Sequence, residues 1–159
     1  MTDKLSTWLR SLHPPVFVLA LLFASYAVVL PLAFLQTAAP SLELGPGPAN
    51  MQTMSLPWRL LLGSLVSPLL ETALFQWAPI RLLRSRKLTL PWPAVLFVSA
   101  ALFAAGHTYS TGYVVFAFLI GLVFAYGYAA LDDEPRGMRA FVLVCLVHAL
   151  RNGIASLLQ

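Results

Sequence analysis

The chain has 159 residues, of which only ten are Lys or Arg and six Asp or Glu, against 59% hydrophobic residues and a mean hydropathy of +0.80. A soluble domain carries about a quarter of its residues as charges, so a water-soluble globule and a disordered chain are both excluded. The single Cys145 excludes a disulfide scaffold, and the basic residues behind the pI of 9.6 are spread between apolar runs instead of forming a nucleic-acid face.

Five apolar stretches follow one another, at about 16–36, 57–83, 93–110, 113–131 and 140–158. The third is the shortest, its apolar run ending near His107. A helix needs roughly 20 mostly apolar residues to cross a hydrocarbon core of about 30 Å, so five crossings leave little for a soluble domain. The stretches lack the two-residue alternation of barrel strands, and backbone groups cannot go unpaired in lipid. The expected fold is all-α: a polytopic membrane helical bundle of about five transmembrane helices, forming a single integral membrane domain over 1–159.

Lys4 and Arg10 precede the first stretch, whose apolar region is longer than a signal peptide's, and Pro40 disfavours cleavage after Ala39. No Lys or Arg lies between Gln36 and Pro57, where Gly45-Pro46-Gly47-Pro48 breaks any helix. Arg81, Arg84, Arg86 and Lys87 follow the second stretch, none occurs from Thr108 to Gly112, and Arg136 and Arg139 precede the fifth. This alternation predicts a cytoplasmic N-terminus and an outside C-terminus, in a plasma or bacterial inner membrane. Arg59 and Arg151 break the pattern and are expected to snorkel from the outer ends of their spans.

The acids are more informative. Asp3, Glu43 and Asp132-Asp133-Glu134 fall in predicted loops, leaving Glu71 as the only carboxylate inside a span. A carboxylate near mid-membrane costs at least about 2.5 kcal/mol, so it faces a cavity or a partner. The plain alternative is a structural hydrogen bond between helices. Glu71 and Phe75 share one helical face, as do Thr72 and Gln76, and Pro68 and Pro79 loosen the helix on either side. Phe103 stands one turn before His107, behind Ala104, Ala105 and Gly106, which permit close helix approach. In the last stretch His148 and Asn152 are four residues apart and face the same way. Gly121, Ala125 and Ala129 read as a packing seam, and Cys145 as a small core residue.

A Glu-containing motif, Phe-x-x-x-His and His-x-x-x-Asn, in that order on three spans, resemble the CAAX protease and bacteriocin-processing (CPBP, Abi) family of intramembrane proteases. The resemblance covers roughly Pro57 to Gln159. It implies that Glu71 activates the attacking water and that His107, His148 and Asn152 complete the catalytic set, His148 and Asn152 stabilising the oxyanion. Two positions depart from the family's Glu-Glu-x-x-x-Arg motif: Thr72 stands for its second glutamate and Gln76 for its arginine.

The leading expectation is therefore an intramembrane endopeptidase that hydrolyses membrane-embedded or lipidated peptides or proteins, with Thr72, Phe75, Gln76 and Phe103 in support. The bilayer is its second partner, and no nucleic acid is expected. Other readings are a non-catalytic immunity or partner-binding protein on the same scaffold, and a small transporter or proton relay using Glu71 and both histidines. No cofactor is favoured. Zinc held by Glu71, His107 and His148 is the alternative, but a Glu71 that ligates zinc leaves no second intramembrane carboxylate as base. No Gly-x-Ser-x-Gly or His-Glu-x-x-His occurs.

Overall fold

A computed structural model describes residues 1, 3–41, 44, 48, 51, 53–132 and 137–158. The expected loop positions of Glu43, Asp133 and Glu134, the basic Arg136 and the helix-breaking run through Gly45, Pro46 and Gly47 lie outside the described residues. Every regular element among the described residues is helical. Helix α1 is Lys4–Ser11, α2 Pro14–Ala27 and α3 Leu30–Ala38. Helix α4 runs continuously over Leu56–Leu83, α5 is Trp92–Ala105, α6 Thr111–Leu131 and α7 Met138–Leu157. The protein is an integral membrane helical bundle.

Four helical stretches are long and apolar enough to cross a bilayer: α2 with α3 as one 25-residue run, α4, α6 and α7. Their outward faces carry large apolar side chains, among them Phe23 at 75% and Phe34 at 73% exposure, as a lipid-facing surface does. Helix α6 is the central one, with 56% of its apolar window buried inside the bundle against 17% for α4. Small residues explain how neighbours approach it. A Cβ added to Gly121 would lie 3.1 Å from the Ala100 Cα of α5, and Gly121, Ala125 and Ala129 are all buried along that helix.

Helix α5 has only 14 residues, about 21 Å of rise against a hydrocarbon core of about 30 Å. The apolar stretch expected to reach residue 110 stops being helical at Ala105, and a non-helical link carries His107 and Tyr109 to α6. Irregular backbone at membrane depth is tolerated where it lines a cavity, and both of these residues do so.

At one end of the bundle, amphipathic α1 packs on α6. Asp3 caps α1, its carboxylate accepting from the Ser6 N–H at 3.0 Å and from the Tyr126 hydroxyl of α6. Arg10 Nε donates to the Ala130 carbonyl near the end of α6 at 3.1 Å. Arg81 at the end of α4 pairs with Asp132 just after α6 at 2.9 Å. Gly137 starts α7 at φ +59, where a side chain would also strike the Tyr128 hydroxyl and Asp132.

Candidate active site

Helix α4 is the least regular helix and carries the carboxylate. It widens into π-helix at Arg59–Val66 and again at Thr72–Trp77, leaving Glu71 at the end of the short α-helical piece between them. Such wide turns cluster at functional sites. Pro68 accounts for where the backbone needs help. The Ser67 N–H bonds to the Leu62 carbonyl, five residues back; in that register the Gly63 carbonyl should receive residue 68, which is proline and has no N–H. Asn152 Nδ2 of α7 donates to this carbonyl instead, at 2.8 Å. Further along α4, the Ser99 hydroxyl of α5 donates to the Phe75 carbonyl at 2.5 Å.

The histidines converge on the intervening carboxylate. Glu71 Oε2 lies 3.4 Å from His107 Nε2 and 3.5 Å from His148 Nε2, both longer than a hydrogen bond. Oε2 itself is sealed from solvent and has no hydrogen-bond partner, whereas the Glu71 side chain as a whole keeps 22% exposure. Glu71, His107, His148 and Asn152 all line one cavity of about 180 Å³.

Each imidazole is held by aromatic rings. His107 lies beyond the end of α5, and its Nδ1 sits 2.6 Å from the Phe103 carbonyl. A carbonyl only accepts, so Nδ1 carries the hydrogen and Nε2, facing Glu71, is the lone-pair nitrogen of the neutral ring. Phe103 and Tyr113 flank that ring, with centroids at 4.4 and 6.1 Å. His148 is almost fully enclosed, with Phe124 at 4.8 Å and Phe103 at 5.5 Å. Phe103 also meets Phe75 edge-on at 5.9 Å, and Phe75 in turn occupies the space a Gly106 side chain would need.

The cavity thus brings together Glu71, His107, His148 and Asn152, with Phe103 among its walls. Thr72 and Gln76 are elsewhere. Both are fully buried on the core-facing side of α4 and neither lines the cavity; Thr72 Oγ1 and both Gln76 amide atoms have no hydrogen-bond partner. One expectation is corrected. Arg151 does not snorkel; it is 93% buried in the cavity wall, its guanidinium over the Tyr26 ring at 4.4 Å and near Phe116 at 5.3 Å. Tyr113 and Arg151 are the site residues that sequence reasoning missed. The signal for Arg151 was its spacing of three from His148, which places both on one face.

Two imidazoles and a carboxylate are the donor set of a catalytic zinc site. Among the described residues no group of three or more His, Cys, Asp or Glu is arranged to hold a metal ion. His148 Nδ1 is sealed without the acceptor that normally steadies a zinc-bound imidazole from behind.

A family model described as type II CAAX prenyl endopeptidase Rce1-like matches residues 53–154. The chain belongs to this family. The match takes in α4 to α7 almost entirely, and with them all four residues at the cavity. Membership makes the chain a CAAX-type membrane protease at the level of the family, one whose substrates are membrane-associated proteins. No curated protein and no solved structure matches the chain.

Proposed function

We propose that the protein is an intramembrane endopeptidase that cleaves membrane-embedded or lipidated peptides by a water activated at Glu71, without a metal. The observation that carries this reading is the approach of both imidazoles to one Glu71 oxygen at the wall of a single cavity.

The chemistry follows from the hydrogen positions. Between Glu71 and the lone pair on His107 Nε2 there is room for one shared proton. A water in the cavity gives a proton to this pair while its oxygen bonds to the scissile carbonyl carbon. The carbonyl electron pair moves onto oxygen, where the second N–H of Asn152 and an N–H on His148 Nε2 donate to the developing charge. When the tetrahedral intermediate collapses, the C–N bond breaks and the pair returns its proton to the leaving nitrogen. The metal-free assignment is supported by Glu71 being the only carboxylate at the cavity among the described residues, so that its use as a metal ligand leaves no base there.

Glu71→Gln is the deciding variant. It should fold and insert normally and lose cleavage of a lipidated reporter peptide in proteoliposomes. A protein acting by partner binding keeps its phenotype with this change, and a proton relay shows Glu71-dependent flux without cleavage; either result overturns the protease reading. Stoichiometric zinc in the purified protein, with cleavage abolished on chelation, overturns the metal-free mechanism alone.

A further inference from the structure

Arg151 is a cation that this bundle encloses with no acid beside it among the described residues. Among the described residues, the ion pairs with a carboxylate are those of Arg81, His107 and His148, and none involves Arg151. Its charge is faced by the rings of Tyr26 from α2 and Phe116 from α6. Glu71, the one carboxylate among the described residues lining the same cavity, is already approached by both imidazoles. A charge held inside an apolar bundle is costly, and removing it from water is offset only where it meets an opposite charge. The bundle nevertheless places this guanidinium on the cavity, on the helix face that also carries His148 and one residue before Asn152.

We propose that Arg151 binds the C-terminal carboxylate of the peptide whose scissile bond lies at Glu71. This rests on the protease reading above and deepens it by naming the side chain that holds the substrate's free end. A guanidinium is flat and presents a fork of donors that matches a carboxylate, and the two rings hold its plane in place. The terminus is the better source of that carboxylate. A peptide segment in a membrane carries few acidic side chains, because each is costly there, whereas every unmodified chain that ends in the cavity brings one carboxylate.

The test uses a lipidated, internally quenched decapeptide in two forms, free acid and C-terminal amide, with the protein in nanodiscs. Binding is measured to the Glu71→Gln protein and cleavage by the wild type. The acid form should bind at least about tenfold tighter than the amide, the scale of a hydrogen-bonded charge. Adding Arg151→Gln should collapse that ratio toward one, and Arg151→Lys, which keeps the charge without the fork, should give an intermediate ratio. Equal or undetectable binding of the two forms overturns the proposal. So does a preference that survives Arg151→Gln, or one lost instead in Arg59→Gln, a second guanidinium at the cavity. Arg151-dependent binding of short-chain phosphatidylglycerol, with no acid–amide difference, assigns the residue to a lipid phosphate and also overturns it. Absence of cleavage alongside an Arg151-dependent acid preference sinks the protease reading and leaves this subsite standing.

Discussion

Asn152 has two amide hydrogens, and one of them is committed to the Gly63 carbonyl. Removing the side chain therefore does two separable things. Asn152→Ala should cost about 1–3 kcal/mol of stability by leaving a carbonyl dry and, on the mechanism proposed above, lower the cleavage rate by about 10² to 10³. Pro68→Ala tells the two apart, because it restores a backbone N–H in register with Gly63. The double variant should regain thermal stability relative to Asn152→Ala and regain no activity. Thr72 is the opposite case, a hydroxyl sealed in the core without a partner. Thr72→Val, which keeps the shape, should leave the melting temperature unchanged or raise it, by up to about 1 kcal/mol of stability. At this scale Glu71 was legible because a carboxylate in an apolar run has no cheap explanation. Arg151 was not: an arginine late in a span reads equally as a side chain reaching for the surface, and only the rings of Tyr26 and Phe116, from distant segments, show that it turns inward.

Among the helices, α4 was legible in part. Pro68 and Pro79 announce loosening, but the side-chain donors that reach carbonyls within the two π-helical stretches come from α5 and α7, which no local pattern in α4 contains. The end of α5 at Ala105 was hidden for a similar reason, since the residues after it are apolar enough to continue and depart because His107 bonds back onto the Phe103 carbonyl. Helix α1 permits a prediction of its own. Hydrogen bonds from the Tyr126 hydroxyl and then from the Ser6 N–H hold the Asp3 carboxyl at about 2, below the roughly 3.9 of a free aspartate. A lowered folded-state value means the contribution is complete above pH ~4 and is lost as pH falls through about 2. Trp8 fluorescence should therefore report loosening of the start of α1 between pH ~4 and 2, and Asp3→Ala, which removes the acceptor, should show that signal at neutral pH.

For the molecule as a whole, the basic loops propose an orientation that labelling can check. In a Cys145→Ala background, a cysteine at Lys87 should react with a membrane-impermeant thiol reagent only after permeabilisation, and one at Thr37 should react from outside. The reverse pattern inverts the bundle and the side to which the cavity opens. The fold class was legible because scarcity of charge is a global property. The convergence of three helices on Glu71 was not, because it depends on register between segments far apart in the chain. That register has a built-in check. The helix that delivers His148 also carries the amide that satisfies Gly63, and the helix preceding His107 carries the hydroxyl that satisfies Phe75. An axial slip of either helix would break one of these bonds at the same moment that it misplaced an imidazole. Misassembly would thus cost stability and the alignment of the cavity together, because the same bonds serve both.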